Sequence, residues 1–383
     1  MTKTVSSCLV ALFWVPACGG HAIDLDASAT SSSSADPVGV ETILLPDSIS
    51  HLLAGDARVY WVGASETEQS CVFDRCSATT LNYGRAGWPV TLGAQDVVFP
   101  TFANNGLLSG HVFGCPKTGC IGAPRELLDD ATAPDYYFVV EADDGYLYWS
   151  SRTDIYRCPV TGCGEVPEIV AKGETSTGGL VVDGDQVFWT FAPGVFESGT
   201  GGPSQPNTNG PPLEIHNAPK DGSRPPMVLV SGVGPSYDAL NFTVDATSLY
   251  WIDDAAHVRS CPRTGCDGQA ATTLVASDGA KRALSVDASG LYWSETADLV
   301  GDWQSAQHSA IVDNVSIRYC PLTGCAQGAD AQILTPSKVG DFALSSNYLY
   351  WNEPQIVRDA GGHPYTHGDS KQIFRTLKPS ERR

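Results

Sequence analysis

Apolar and polar residues alternate along this chain in short runs, and the runs are separated by Asp, Gly, Ser, Asn and Pro. Phe242-Thr-Val244-Asp245-Ala-Thr-Ser248 and Leu284-Ser-Val286-Asp287-Ala-Ser-Gly290 are two such runs, each an alternating segment that closes on an acidic turn. Period-two alternation bounded by turn formers predicts β-strands joined as hairpins. The strand after each turn carries a recurrent phrase: Val59-Tyr60-Trp61, Val97-Val98-Phe99, Leu147-Tyr148-Trp149, Val187-Phe188-Trp189, Leu249-Tyr250-Trp251, Leu291-Tyr292-Trp293 and Leu349-Tyr350-Trp351. A third strand follows, such as Ile155-Tyr-Arg157-Cys158, then a tight turn and a fourth strand such as Glu168-Ile-Val-Ala171 or Thr273-Leu-Val-Ala276. These strands are named a, b, c and d. Spacings between copies run from 38 to 62 residues, which suits four short strands and their turns per unit.

The two ends of the repeat array are out of phase. The last unit offers a (Phe342 to Ser345), b (Tyr348 to Trp351) and c (Gln372 to Leu377), and the chain then stops without a d strand. Glu41-Thr-Ile-Leu-Leu-Pro46 matches Ala331-Gln-Ile-Leu-Thr-Pro336, the d strand of the sixth unit, yet it precedes the first a strand. Joining it to the C-terminal unit leaves no open edge between first and last blades. The expectation is an all-β fold: a seven-bladed β-propeller of four-stranded antiparallel blades over residues 41–378, closed by an N-terminal d strand, with a tail at 379–383. The arrangement resembles the YWTD-type propeller repeat, in which an Ile-x-Arg strand and a Leu-Asp-Gly turn precede a Leu-Ala-Val-Asp strand and then Tyr-Trp. Ile215-His-Asn-Ala-Pro-Lys220-Asp221-Gly222-Ser223 preserves that turn most clearly. The Thr-Asp after Tyr-Trp is absent from every copy, and seven units stand where that family typically has six. The resemblance therefore implies a fold and not a receptor function.

Composition agrees with many short strands: 39 Gly and 25 Pro supply turns, and 9 Trp and 14 Tyr favour pleated surfaces. Ten of the 12 cysteines form five pairs of one spacing: Cys71/Cys76, Cys115/Cys120, Cys158/Cys163, Cys261/Cys266 and Cys320/Cys325. Four pairs enclose Pro-x-Thr-Gly, where Pro fixes φ and Gly can take positive φ, so the segment can fold back as a c-to-d turn. In an oxidising compartment this predicts five local disulfides, each across the mouth of a c-to-d hairpin. Each closes so short a loop that it contributes about 2 kcal/mol through chain entropy; they are expected to staple turns and not to hold the ring together. The rival is zinc shared between neighbouring turns, although units four and seven carry no cysteine.

The N-terminal residues refine the address. Met1-Thr-Lys-Thr leads into Val5 to Ala17, an apolar stretch too short to span a bilayer but suited to a signal peptide. It ends in Val15-Pro16-Ala17-Cys18-Gly19-Gly20, which resembles a bacterial lipobox. That resemblance implies a signal peptide at 1–17, a lipidated Cys18, and, with Gly19 next, export to the outer membrane; the alternative is an ordinary cleaved signal. Residues 18–40 are Ser-rich and read as a flexible tether. The formal charge of −20 makes nucleic acid an unsuitable partner and keeps a monomer soluble.

Candidate chemistry lies in the connections. Three b-to-c connections are enlarged, at 192–213, 295–314 and 353–371, and all emerge from one face of the disc, where long loops on a rigid scaffold usually bind ligands. The candidate ligand-binding residues are Trp303 and His308 in the second, and His363, Tyr365, His367 and Asp369 in the third. His363, His367 and Asp369 are suitable ligands for a divalent metal, but no motif demands a metal or cofactor, and none is expected. The recurrent Asp183, Asp245 and Asp287 are read as turn chemistry. No Ser/His/Asp signature or phosphate loop appears. The leading expectation is a membrane-tethered scaffold that binds an envelope or extracellular protein, peptide or glycan on its long-loop face. A lyase or hydrolase with a His/Asp site near the central channel and a structural envelope component are the alternatives.

Overall fold

A strand places consecutive side chains on opposite faces, so the Tyr-Trp, Phe-Trp or Val-Phe pair at each b-strand centre must fill two different interfaces. In the computed structural model of the protein it does. The structure describes residues 39–382 except 46–48, 64–66, 80, 86–89, 103–107, 121, 130–139, 144, 152–153, 164–165, 175, 192–212, 234–241, 254, 267–269, 277–278, 297–314, 323–331, 336–338, 354, 359–363 and 368–370. Seven four-stranded antiparallel sheets stand as blades in a ring. The Trp (or Phe99) of each blade packs with the Tyr, Phe or Val of the preceding one: Val98 with Trp149, Tyr148 with Trp189, Phe188 with Trp251, Tyr250 with Trp293, Tyr292 with Trp351, Tyr350 with Trp61, and Tyr60 with Phe99. The sixth of these joins the last blade to the first, which closes the ring.

Blade 1 comprises Ile49–Ala54, Val59–Gly63, Thr67–Cys71 and Leu81–Arg85, and the next five blades follow the same a-b-c-d order. Blade 7 takes a, b and c from Phe342–Leu344, Tyr348–Asn352 and Gln372–Leu377, and its d strand is Glu41–Leu44. The latch runs antiparallel in the register Glu41↔Arg375 to Leu44↔Gln372, and the Leu45 N–H donates to the Lys371 carbonyl at 2.7 Å. Arg375 fixes the seam. Its guanidinium donates to Glu41 of the latch, through Nε at 3.0 Å, and to Asp74 of blade 1, and it lies 4.2 and 4.5 Å from the ring centres of Phe73 and Tyr348.

Four predicted cysteine pairs are disulfides: Cys71–Cys76, Cys115–Cys120, Cys158–Cys163 and Cys261–Cys266, with Cα atoms 4.8, 5.2, 4.8 and 5.9 Å apart. Cys320 is also disulfide-bonded, whereas Cys325 lies outside the described residues, as do the signal segment and Cys18. The first pair corrects the expectation of a plain hairpin turn. Cys71 ends a c strand as expected, but Cys76 opens a one-turn helix, Cys76–Thr79, reached through the 3-10 turn Phe73–Arg75. The intervening Val72-Phe73-Asp74-Arg75 has neither the Pro nor the Gly of the other four pairs. No residue there can supply the positive φ that Gly119, Gly162 and Gly265 provide elsewhere, so the chain coils before it turns back into the d strand. The coil has a use: it sets Phe73 edge-on to Tyr350, with ring centres 5.7 Å apart, and carries Asp74 to Arg375 at the seam.

The cysteine turns do more than close on themselves. Each of the four disulfides sits in the core between its own blade and the preceding one. The Cys163 N–H donates to the Leu127 carbonyl at 3.0 Å and the Cys266 N–H to the Leu229 carbonyl at 2.9 Å, each acceptor belonging to the preceding d strand. Glycine makes this approach possible: at Gly265, with φ of +95°, a Cβ would lie 2.8 Å from the Leu229 carbonyl oxygen.

A second set of links joins the same elements. Asp143, Asp245 and Asp287 bind their own turns through one oxygen, as Asp143 Oδ1 accepts from Gly145 and Tyr146 N–H at 2.9 and 2.7 Å. An a-to-b aspartate also receives a cation from the c-strand end or c-to-d turn of the next blade: Lys220 on Asp143 at 2.7 Å, Arg263 on Asp183, and Lys378 on Asp287. The turn face is thus sewn blade to blade by backbone hydrogen bonds, the packing of the disulfides and ion pairs.

Because blade 7 borrows its outer strand, a variant beginning at Ser48 should leave the Gln372–Leu377 edge unpaired and Arg375 without Glu41. It is expected to melt well below the full chain, followed by circular dichroism; coincident melting curves would remove the latch from the stability account.

Candidate functional site

The a strands form the inner wall. Inner strands of successive blades, such as Val140–Ala142 and Ser176–Asp183, pack side by side, so a polar residue on them is held close to the axis. At the level of b-strand Tyr, the inner residues are Leu53, Thr91, Glu141, Val181, Thr243, Ser285 and Ala343. Glu141 is the one charged member of that ring. Its Oε2 accepts a hydrogen bond from the Thr91 hydroxyl of blade 2 at 2.8 Å. Burial pushes the Glu141 carboxyl up to about 7, against the opposing pull of the Thr91 bond and the His51 charge.

His51 and Asp341 stand two residues further along the inner wall, opposite Val62 and Asn352 on their b strands. This is the end of the blade from which the b-to-c connections leave. His51 Nδ1 lies 3.1 Å from Asp341 Oδ2. The same carboxylate oxygen accepts the Leu52 N–H at 2.9 Å, and Oδ1 accepts the Phe342 N–H at 2.8 Å. Asn352 Oδ1 accepts the Asp341 N–H at 2.6 Å. Asp341 therefore bridges blades 7 and 1 and orients the His51 imidazole through one nitrogen. An oriented imidazole and a carboxyl that titrates near neutrality are the components of acid–base chemistry and equally of a polar recognition site.

Two other buried groups have different roles. His216 is held between Glu174 at Nδ1 and Glu214 at Nε2, both 2.8 Å away, and against the Phe191 ring at 4.7 Å. Burial would lower its pKa, but the two carboxylates prevail and raise it. With both nitrogens engaged and 4% of its surface exposed, it serves the blade 4 packing. Glu68, between blades 1 and 2, has no hydrogen-bond partner for either oxygen among the described residues. Burial pushes its carboxyl well above the usual range.

The long-loop residues fare differently. Trp303, His308, His363 and Asp369 lie outside the described residues. Tyr365 and His367 fall on Pro364–His367, which pairs with Gln355–Arg358 as an extra antiparallel hairpin in the register Val357↔Tyr365. This hairpin leaves blade 7 directly after Asn352, the residue that binds Asp341. Among the described residues no group of three or more His, Cys, Asp or Glu side chains could hold a metal ion. Sequence reading missed His51, Asp341 and Glu141 because it looked to loops. Aligning the inner strands by their b-strand partners would have shown a lone Glu in a ring of small and apolar residues.

No protein-family model matches the sequence, and no curated protein matches it. Among solved structures the chain is similar to U3-55K, with a TM-score of 0.53 at 9% identity over 88% of this chain and 98% of that one. It is similar to the β-propeller domain of the Trilobed protease from Pyrococcus furiosus, with a TM-score of 0.52 at 8% identity over 84% and 94% of the two chains. That domain is described as having an open velcro topology, whereas Glu41–Leu44 closes the present ring. PorZ, a surface component of the type-IX secretion system of Porphyromonas gingivalis, aligns with a TM-score of 0.47 at 12% identity over 86% of this chain. The chain spans 39% of the PorZ length. The protein is thus a seven-bladed β-propeller, and at these identities the likeness concerns the fold alone.

The Glu141 shift fixes a pH dependence. Between the ordinary value of 4.5 and about 7 the folded state holds a proton that the unfolded state has released. Its contribution to stability is therefore complete below 4.5 and declines as pH rises to about 7. Denaturant titrations across that range should show Glu141→Gln losing less stability with rising pH than the natural chain. Parallel profiles would mean that folding leaves the Glu141 carboxyl unshifted.

Proposed function

We propose that the protein is an exported β-propeller, tethered to the outer membrane through a lipid on Cys18, that binds an envelope protein, a peptide or a glycan on its b-to-c face. One observation carries the reading. The His51–Asp341 pair opens toward the face from which the blade 7 hairpin rises, and Asn352 connects the two. A rigid ring thereby presents oriented polar groups beside an inserted element, the usual construction of a recognition site. The disulfides support export. Replacing Cys18 by Ser should abolish fatty-acid labelling and release the protein from membranes.

A second reading, a lyase or hydrolase, is favoured specifically by His51, oriented by Asp341 as a base, with Glu141 as the nearby acid. Shortening 297–312 and 355–370 should leave folding nearly unchanged, because closure entropy depends weakly on loop length. Capture of a crosslinked envelope partner should fall sharply, with Trp303 and Tyr365 as anchors. His363→Ala with His367→Ala should weaken capture modestly. Unchanged capture after both loops are trimmed would exclude the b-to-c face as the binding surface. Turnover of envelope glycans that disappears in Asp341→Asn while folding persists would establish the enzyme instead.

A further inference from the structure

The d strands are the outer edges of the blades, and an unprotected edge is a template for pairing with another chain. In each blade except the first, the two leading d-strand residues are exposed and burial follows further along, a pattern that makes the edges comparable. Those leading residues are Leu81 and Asn82 in blade 1, Arg125 and Glu126 in blade 2, and Glu168 and Ile169 in blade 3. They are Thr272 and Thr273 in blade 5, Gln332 and Ile333 in blade 6, and Glu41 and Thr42 in blade 7. Every one of these edges carries a charge, an amide or a hydroxyl there. Blade 4 carries Met227 and Val228, 53% and 56% exposed, at the start of Met227–Ser231.

That strand has no charged residue, no proline and no glycine. Among the described residues its backbone is bonded to Glu214–Asn217 on one side and otherwise only through the Leu229 carbonyl, which receives the Cys266 N–H. A groove of about 420 Å³ runs beside it between blades 4 and 5. Met227, Leu229 and Pro262 give the groove an apolar floor, and the Asn217–Gln186 amide pair, bonded at 3.1 Å, gives it a polar wall. Arg224 stands at its edge. Lys220, Arg263 and Lys378 on this face are each committed to an aspartate of the preceding blade, but Arg224 has no ion pair or hydrogen bond among the described residues.

We propose that the outer strand Met227–Ser231 receives an extended peptide segment of a partner protein by strand addition, with apolar side chains on Met227 and Val228 and a carboxylate on Arg224. Main-chain hydrogen bonds supply the affinity, and the groove with its guanidinium sets register and sequence preference. The charge balance selects this occupant over a second copy of the chain. Two copies would bring together two bodies of net charge −20, and the strand Met227–Ser231 itself offers no carboxylate to a facing Arg224. The surface lies on the rim and turn side of the disc, so it is independent of the b-to-c face.

The probe is a displayed library of short linear peptides, selected against the full mature chain. Selected sequences are expected to alternate apolar residues with one Asp or Glu. A synthetic peptide from the selection should bind Val228→Lys about tenfold more weakly or worse, because an edge lysine opposes strand addition. It should bind Arg224→Glu with a preference inverted toward basic peptides. Thr273→Lys, at the corresponding exposed site of blade 5, should bind normally. Val228 is exposed, and unchanged melting of Val228→Lys will show that the fold is intact. The proposal is overturned if no peptide is enriched, if enriched peptides ignore Val228→Lys, or if sedimentation reveals a dimer that Val228→Lys dissolves, which would make the occupant a second copy.

Discussion

Everything in this ring depends on one pairwise contact repeated around it, the Tyr, Phe or Val of one b strand against the Trp or Phe99 of the next. The alternation of a strand sends Tyr148 toward blade 4 and Trp149 toward blade 2, so no blade can satisfy its own core. A buried Trp or Phe removed from such an interface costs about 3–5 kcal/mol, and a blade without a neighbour would expose one aromatic face outright. The array must therefore end on itself. The seam between blades 7 and 1 bears that requirement, and there the Tyr350–Trp61 contact is reinforced by the Arg375 guanidinium clasped by Glu41 and Asp74.

The two ends of the blades treat charge differently. On the turn face Lys220, Arg263 and Lys378 are each spent on an aspartate one blade back, and Asp143 and Asp287 are held below the usual carboxylate range. For Asp287, burial opposes ionisation, but Lys378 and the Ser289 donors outweigh it. Toward the b-to-c end the inner wall holds groups that are oriented without being neutralised: His51 on Asp341, and Glu141 with a single hydroxyl for company. Of these, the Glu141 carboxyl, raised to about 7, changes its charge near neutrality.

Much of this was legible in the sequence because a repeated unit reports its own register. Seven recurrent strings, five of them Tyr-Trp, mark the b strands, the match of Glu41–Pro46 to the sixth d strand identifies the latch, and the cysteine spacing gives pairs that the four described disulfides confirm. Equal spacing did not mean equal turns: the loop before Cys76 lacks Pro and Gly, and that absence, visible in the sequence, is what makes it coil. What stayed hidden is whatever arises between units. Lys220 and Asp143 are 77 residues apart, and nothing in either turn alone says that one leans over the other. The disulfides likewise read as local staples, although their packing against the preceding blade makes them part of the ring. His51, Asp341 and Glu141 come from three blades and converge only through closure.

Closure by the chain's own termini also dictates an order of events. Glu41 meets its partner Arg375 across 334 residues, so the contact that completes the last blade waits until nearly the whole chain is available. Until then six blades can collapse against one another while the outer strand of the seventh remains an unpaired segment at the leading end of the polypeptide. Long-range pairings of this kind form slowly and leave edges open in the meantime. For a protein exported ahead of folding, the leading strand would emerge first and find its place last. A lesion that removes only the final turn of sequence, from Gln372 onward, would therefore disable the first-made strand as surely as deleting it.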